Sequence, residues 1–344
     1  MSGEMILFLM ILLSIGGLFH MVPGLTRPDL FFAVTVAPEF RRTTAGQRIL
    51  RRFRAIVWGS TLVAIAIQLL AGMPPAAGLI LAGGILWALV GSHGRALAYA
   101  VSPSPIVEVD LAAPREGLPG GPMVAVPPVL FLGGLGLWAG LHWDRLPRRF
   151  PVHWGLHGAD RWVATTPATV AGFLAVYAGM CLLSIGAAWG LPHWSRRIST
   201  SGEGAAAERG FRRRIMQLLI ATGYFLVFPA WFTVFQPPAG AINLWGLALT
   251  AVIAAFTVSL LRGGQGGSRA TVTAGPSGHP TPKGDRTPDA CWKWGLLYVN
   301  PADPSILIEK RFGVGYTLNF GNRWTWVVLA LVLVPVAAGL VLLR

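Results

Sequence analysis

Eight long apolar segments constrain the fold of this chain more than any other feature. Each is long enough, or nearly so, to cross about 30 Å of hydrocarbon as a helix of about 20 residues. Only 12% of the 344 residues are charged, against about 25% in a soluble domain. The sequence therefore predicts an all-α integral membrane protein of about eight transmembrane helices. The predicted spans are Met5–Val22, Ala55–Ala71, Ala76–Val90, Met123–Trp143, Ala168–Gly190, Ile215–Phe235, Ala241–Leu261 and Trp324–Leu343.

Two of these spans need comment. The third is short, and we expect it to extend past Arg95 towards Val101 while the arginine reaches for the interface. The first lacks a basic region before it and a small-residue cleavage site after it. We therefore interpret it as a retained span and not as a signal peptide.

The distribution of Lys and Arg predicts the orientation, because cytoplasmic loops retain basic residues. An outside N-terminus places the connections Pro23–Arg54, Gly91–Pro122, Leu191–Arg214 and Arg262–Arg323 inside. These four hold all 28 basic residues except Arg145, Arg148, Arg149, Arg161 and Arg344. Both termini are then expected outside a plasma membrane. The net charge of +14 is interpreted as a topology signal plus attraction to anionic lipid, and not as nucleic-acid binding.

The two halves of the chain share a pattern. QRILRRFR (47–54) precedes the second span and MPPAAGLIL (73–81) follows it, while ERGFRRRI (208–215) and QPPAGAINL (236–244) flank the sixth. Four spans per half would make a 4+4 parallel repeat, as in some transporters. Independent origin is the alternative, since Arg-rich helix ends and Pro-Pro turns are common wherever a helix meets a short turn.

These observations predict a division of the chain into six parts. A first half of four spans (1–143) is followed by an extracytoplasmic motif loop (144–167), three further spans (168–261) and a Gly/Pro/Ser/Thr-rich flexible linker (262–290). A Trp-rich cytoplasmic interfacial segment (291–323) and the last span (324–344) complete it.

The Trp-rich segment differs from the rest in composition. Its aromatic and aliphatic runs, Trp294–Val299, Ile306–Arg311 and Val314–Phe320, are separated by turn sequences and predict a small β-meander at the inner membrane face. Asn300 and Asp303 are metal-ligand types, but turn capping by their side chains is the preferred interpretation. Lys310 and Arg311 suit either lipid phosphate or a solvated strand edge. The candidate interfacial residues are Trp292, Trp294, Tyr298, Asn300, Asp303, Lys310, Arg311 and Asn319.

The outer loop contains the polar sequence PVHWGLHGADRW (151–162). His153 and His157 are four residues apart, so on a helix they would share a face, as zinc ligands do in helical sites. Asp160, Asp144 or His142 would supply a third ligand. A zinc ion held in this way could activate water in an ectoenzyme.

Two features oppose that chemistry. Gly155 and Gly158 weaken a helix, and the loop has no glutamate to act as a base. The alternative interpretation places the His and Trp side chains at the headgroup interface and leaves the Gly and Asp residues to form the turn.

The loop resembles the extracytoplasmic P-x-H-aromatic motif of a bacterial family of multi-pass proteins of unknown function, which also occurs in SdpI-type proteins. The matching positions are Pro151, His153, Trp154, Gly158 and Asp160. The tail sequences WKWGLLYVNPADP and KRFGVGYTLNF are similar to another uncharacterised domain that is often found on the same chains. SdpI-type proteins give immunity to a secreted toxin and signal to a repressor, so the resemblance implies an extracellular peptide ligand, a cytoplasmic regulator and a bacterial plasma membrane.

Three functional hypotheses remain open at this point. Sensing, immunity or envelope protection follows from the resemblance. A transporter for a peptide or lipid-like substrate is the alternative, since eight spans can enclose a path and Pro127, Pro128 and Pro229 permit kinks. A zinc-dependent ectoenzyme is the third. No GxSxG, P-loop or dinucleotide motif occurs, and Cys181 and Cys291 lie in segments that do not predict a disulfide.

Overall fold

The computed structural model of the protein describes residues 3–102, 115–155, 158–197, 203–235, 239–268, 285 and 287–342. This part of the chain is mostly helical, with short β-hairpins between some of the helices. Its helices are α1 (Gly3–Leu25), α2 (Thr44–Ala71), α3 (Pro74–Ala96), α4 (Val126–Leu141), α5 (Pro167–Trp194), α6 (Glu203–Val227), α7 (Pro229–Phe235), α8 (Ala239–Gly263) and α9 (Arg323–Leu342).

Seven segments among the described residues are long and apolar enough to cross a membrane. They correspond to the first seven predicted spans, and the eighth predicted span is helix α9. The predicted extension of the third span past Arg95 is also present, since this segment continues to Tyr99. The fold class predicted from hydropathy, a helical membrane protein with a small β-rich segment, is confirmed.

The second span begins earlier than hydropathy predicts. Helix α2 starts at Thr44, about three turns before Ala55, because the hydroxyl of Thr43 caps it by accepting a hydrogen bond from the Gly46 amide at 3.2 Å. The added turns are amphipathic, with Ile49 and Phe53 buried on one face. A hydropathy window misses such turns because their other face is basic.

The sixth span is divided into two helices. Helix α6 ends at Val227 and α7 begins at Pro229. Proline has no amide hydrogen to donate and disfavours helical geometry in the preceding residue, so Phe228 interrupts the helix. The predicted kink at Pro229 is therefore a break.

The described chain forms two compact units. Unit 1 comprises Met1–Leu111, Ile198–Phe211 and Leu260–Trp326, and unit 2 comprises Ala112–Arg197, Arg212–Ser259 and Val327–Arg344. The predicted domain boundaries and the 4+4 repeat stay predictions. Both ends of the predicted linker 262–290 are packed, since Gln265, Asp285 and Thr287 are buried, while residues 269–284 and 286 lie outside the described residues.

Unit 1 packs its membrane helices through small residues. A Cβ atom added at Gly84 in α3 would lie 1.8 Å from the Ser60 hydroxyl oxygen of α2, and one at Gly16 in α1 would lie 2.6 Å from that of Thr61. Glycine at these positions lets the helix backbones approach closely, which favours association in lipid.

Unit 2 has its own apolar core. Cys181 and Ile185 of α5 pack with Leu132 of α4 and Val227 of α6. The Ser184 hydroxyl donates to the Leu219 carbonyl of α6 at 2.7 Å, so a polar group within the span is satisfied by a neighbouring helix.

The strands form four antiparallel pairs among the described residues. The predicted meander at 291–323 is wrong in topology, because the segment forms two separate hairpins and not one sheet of three strands. A bridge between Tyr298 and Asn319 connects these two hairpins. The strands are β1 (Leu30–Phe31) with β2 (Val34–Thr35), β3 (Arg149–Gly155) with β4 (Gly158–Ala164), β5 (Trp292–Lys293) with β6 (Leu297–Tyr298), and β7 (Leu307–Glu309) with β8 (Tyr316–Leu318).

Candidate functional site

The outer-loop motif lies on the β3–β4 hairpin of unit 2. Pro151 pairs with Trp162, His153 with Arg161, and Trp154 with Ala159, and the register shifts on both sides of His153. Proline cannot donate to a ladder, and such irregularities are common beside one. The backbone of His153 is therefore on a strand, whereas His157 lies outside the described residues, so the pairing of the two histidines stays a prediction.

The base of this hairpin is held firmly. The Thr165 amide donates to the Arg148 carbonyl at 3.0 Å, and its hydroxyl donates to the Pro147 carbonyl at 2.5 Å. Phe150 is buried against Phe173 of α5, with ring centroids 5.5 Å apart. Trp162, by contrast, is 48% exposed on β4. The hairpin thus has an anchored base and an exposed aromatic side chain.

The metal-site prediction falls largely outside what the structure describes. Leu156 and His157 are outside the described residues, and the same holds for the side chains of residues 153–160. Among the groups that are described, no three His, Cys, Asp or Glu side chains are placed to hold a metal ion. His142, one candidate third ligand, stacks on Trp138 at 4.9 Å.

A second polar site lies in unit 1, where Arg311 is enclosed by the acids Asp285 and Asp289. Its guanidinium is fully buried and donates to Asp285 Oδ1 from Nε at 2.9 Å and from Nη2 at 2.8 Å. Nη1 pairs with Asp289 and donates to the Ala33 carbonyl at 2.9 Å. Thr287 completes this group, which we call the Arg311 cluster: Arg311, Asp285, Thr287 and Asp289.

The charge of Arg311 is secured by its neighbours. Burial alone lowers the pKa of the guanidinium, but the adjacent Asp285 and Asp289 carboxylates outweigh burial and raise the pKa above its ordinary value. The Trp292 ring lies 5.5 Å from the guanidinium, and its indole donates to the Thr287 hydroxyl at 2.8 Å. The expectation that Arg311 meets lipid phosphate or a solvated strand edge is wrong, because this side chain has no exposed surface.

The Arg311 cluster holds a strained turn. Phe32 and Ala33 join β1 to β2 with positive φ angles of 48° and 67°, a conformation that non-glycine residues rarely adopt. The Ala33 carbonyl accepts from Arg311, and the Phe32 carbonyl lies 2.9 Å from Nδ1 of His93 in α3. Hydrogen bonds at both carbonyls stabilise the turn in this geometry.

The turn of the β5–β6 hairpin packs against the same histidine. Gly295 has a φ of 72°, and a Cβ atom there would lie 2.8 Å from His93 Nδ1 and 3.2 Å from the Ala33 Cβ. Only glycine fits this contact. Asp289 adds another link, accepting from the Thr35 hydroxyl at 2.8 Å and from the Thr35 amide at 3.2 Å.

Asn319 organises the loop between the two C-terminal hairpins. Its amide nitrogen lies within 3.1 Å of the Asn300, Asp303 and Ser305 carbonyls, and its oxygen accepts from the Asn300 amide at 3.0 Å. The Asn300 side chain accepts from the Ala302 amide, and that of Asp303 accepts from the Ser305 amide. The preferred interpretation of Asn300 and Asp303 as turn-capping residues agrees with these contacts.

The predicted interfacial residues thus separate into two groups. Trp292, Tyr298, Asp303, Arg311 and Asn319 are buried, and Asn300 is partly buried. Trp294, 61% exposed, and Lys310 remain on the surface. The buried residues stabilise the fold of the segment, and only the exposed residues can contact lipid.

Sequence reasoning missed Asp285, Thr287, Asp289 and His93. The available signal was the pair of acids in DRTPDAC, in a chain that has only 14 acidic residues. That signal was obscured because the Gly/Pro/Ser/Thr content of the same stretch predicts a linker.

Contacts within unit 1 join segments that lie far apart in the chain. Arg27, after α1, lies 3.8 Å from Glu309, and Gln265, after α8, exchanges two hydrogen bonds with the Gly315 backbone. Gly267 approaches the Ala207 carbonyl near the start of α6. Described residues of the connections after the first, fifth and seventh spans are therefore in contact, which agrees with successive spans that cross a membrane in alternating directions.

Comparison with known proteins gives one local match. Residues 301–326 match the model of a family of unknown function (DUF5808). The matched stretch includes Arg311 and Asn319, so it overlaps the most densely hydrogen-bonded part of unit 1. No curated protein and no solved structure matches the chain.

Proposed function

We propose that this protein is a bacterial plasma-membrane sensor or envelope-protection protein of the SdpI-like type, whose β3–β4 hairpin receives an extracellular peptide. The hairpin is the observation that carries the proposal. It connects two membrane helices, its base is fixed by Thr165 and Phe150, and within the described residues its strands pair only with each other.

Such a hairpin offers a peptide two kinds of contact. An unpaired strand edge presents backbone donors and acceptors to which an extended peptide can add as a further strand. The exposed Trp162 and Arg161 supply an aromatic face and a positive charge beside that edge. These features favour an extended peptide over a compact polar metabolite.

In this proposal, the cytoplasmic side of the protein passes the signal to a regulator inside the cell. If the N-terminus is outside, the four basic connections lie on the cytoplasmic side, and parts of all four belong to unit 1. The Arg311 cluster and Asn319 hold that surface in one conformation. A cytoplasmic regulator would meet a preformed surface, which lowers the entropic cost of binding.

Protection of cells tests this proposal. Cells that express the wild-type protein are challenged with peptide toxins secreted by related bacteria, and the surviving fraction is measured. We expect Trp154→Ala and Asp160→Ala to abolish protection at an unchanged protein level. Trp143→Ala and Asp144→Ala are matched controls, since both residues are exposed in the same connection but lie outside the hairpin. No protection by the wild type, or equal loss in the controls, would contradict the proposal.

A transporter for a peptide or lipid-like substrate is the second candidate, and the break between α6 and α7 favours it. Interrupted helices form substrate sites in many transporters. The residues around the break are aromatic, with the Phe131 and Phe228 rings stacked at 6.2 Å and Trp138 4.5 Å from Phe235. Such a lining suits an apolar substrate.

Flux through reconstituted vesicles distinguishes the two candidates. A transporter should move a labelled hydrophobic peptide or lipid analogue, and Pro229→Leu, which permits a continuous helix, should slow that movement. A sensor should protect cells without measurable flux.

A further inference from the structure

We propose that three arginines at the start of α2, Arg48, Arg51 and Arg52, form a binding surface for anionic phospholipid headgroups. With about 100° of rotation per residue, these positions fall within an arc of about 100° on one side of the helix. All three side chains are exposed. The opposite face buries Ile49 and Phe53.

The charges of these arginines have no counter-charge in the part of the chain that the structure describes. No hydrogen bond, ion pair or ring contact joins their guanidinium groups to any other described residue. Other arginines of unit 1 do have partners within the protein. Arg27 lies 3.6 Å from Asp29, and Arg41 donates to the Thr26 hydroxyl at 2.8 Å. Three adjacent exposed positive charges with no counter-charge among the described residues are therefore available to an anion from outside the protein.

Their position along α2 identifies that anion. The helix has 28 residues, a length of about 42 Å, whereas the hydrocarbon layer is about 30 Å thick. The apolar part, Ala55–Ala71, covers about 25 Å, so Arg48 and Arg52 lie roughly 5 to 10 Å beyond it. That distance matches the headgroup region, where lipid phosphates lie.

One of the corresponding arginines of α6 is arranged differently. Arg212 is buried, lies 3.4 Å from Glu116 and donates to the Arg196 carbonyl at 2.9 Å. The similar sequences QRILRRFR and ERGFRRRI therefore differ in their contacts, because Arg212 of α6 forms an ion pair and a hydrogen bond within the protein. Arg209 and Arg213 of α6 are exposed, so the start of α6 presents two exposed arginines where the start of α2 presents three.

The test measures lipid preference in the full-length protein. The wild type and the variant R48Q/R51Q/R52Q are placed in phosphatidylcholine nanodiscs, and the association of spin-labelled phosphatidylglycerol is compared with that of spin-labelled phosphatidylcholine. A basic residue near an anionic surface changes association about fivefold, so we expect the variant to lose preference on the order of 100-fold.

Two controls separate lipid binding from misfolding and from a general charge effect. R48K/R51K/R52K keeps the charge and should keep the preference. R145Q/R148Q/R161Q removes the same charge from exposed arginines of the connection 142–166, which is predicted to lie outside, and should also keep the preference. Raising the salt concentration on the wild type from 0.1 to 1 M shortens the screening length from about 10 to about 3 Å and should remove the preference.

Several results would overturn the proposal. They are a loss smaller than tenfold in R48Q/R51Q/R52Q, an equal loss in R145Q/R148Q/R161Q, and a lysine variant without preference. Salt-independent preference in the wild type would also overturn it. Tight binding of duplex DNA at these arginines, with no lipid preference, would assign the surface to nucleic acid instead.

Discussion

Replacing Arg311 with alanine should destabilise the C-terminal segment of unit 1 by about 3–5 kcal/mol, the usual cost of removing one partner from a buried ion pair. The structure explains this size. Arg311→Ala leaves the Asp285 carboxylate, whose side chain is 2% exposed, without its counter-charge, and it removes the donor to the Ala33 carbonyl. The positive φ angles of Phe32 and Ala33 then lose one of their two supports.

A native cysteine reports on this change. The chain has two cysteines: Cys181 is buried in α5, and Cys291 is partly accessible next to Trp292. Labelling of Cys291 by a maleimide, followed against urea concentration in mild detergent, gives the free energy of opening of the segment. We expect Arg311→Ala to label at markedly lower urea than the wild type.

Two further variants make the measurement specific. Lys310→Ala changes the exposed neighbouring residue and should alter stability by less than about 0.5 kcal/mol. Asp285→Asn removes the charge that Arg311→Ala would leave unpaired, so the double variant should lose less than the sum of the two single variants. If Arg311→Ala opened at the same urea concentration as the wild type, or if the two effects were additive, the buried cluster would not stabilise this segment.

Other predictions concern helix packing, the C-terminal loop and the metal site. Gly84→Ala should lower thermal stability in detergent by about 1–3 kcal/mol, because the new Cβ would lie 2.4 Å from the Ser60 Cβ; adding Ser60→Gly should restore it. Asn319→Ala should cost about 2–3 kcal/mol in the urea assay, since it leaves several buried backbone groups unpaired, and a wild-type curve would refute this. If the outer loop holds zinc, metal analysis should find it in the wild type and not in His153→Ala or His157→Ala; equal content in all three would exclude the site.

The membrane helices could be predicted because hydropathy is a local property of the sequence. Ala168–Gly190 was predicted as a span, and α5 occupies Pro167–Trp194. The prediction was less accurate where a helix changes character along its length. The first turns of α2 contain basic residues, so their mean hydropathy is low and predicts a loop. Their buried face nevertheless continues the packing of the span.

The Arg311 cluster could not be predicted in this way. It joins residues 33, 285 and 311, and no local pattern encodes the contact between Ala33 and Arg311, 278 positions apart. The turn of the β5–β6 hairpin was difficult to predict for a related reason. This turn places Trp294 at a φ of 55°, which propensity disfavours, and the packing of Gly295 against His93 compensates.

The zinc-site prediction for the motif 151–162 was based on residue spacing. A separation of four residues between two histidines suggests a helical zinc site. The backbone of His153 lies on β3 opposite Arg161, and His157 lies outside the described residues, so the site stays a prediction. Gly155 and Gly158, which weaken a helix, pair with each other as the last described pair of β3 and β4. Sequence reasoning identified these glycines as unfavourable to a helix, and the structure gives them a place at the hairpin end.

The central claim is that the β3–β4 hairpin faces the outside while the C-terminal segment faces the cytoplasm. Labelling intact cells with a membrane-impermeant maleimide tests it most directly, using Arg161→Cys in the hairpin and the native Cys291. We predict that Arg161→Cys reacts in intact cells and that Cys291 reacts only after the cells are permeabilised. Reaction of Cys291 in intact cells, with Arg161→Cys protected, would contradict the orientation and with it the proposed role of the hairpin as a receptor for an extracellular peptide.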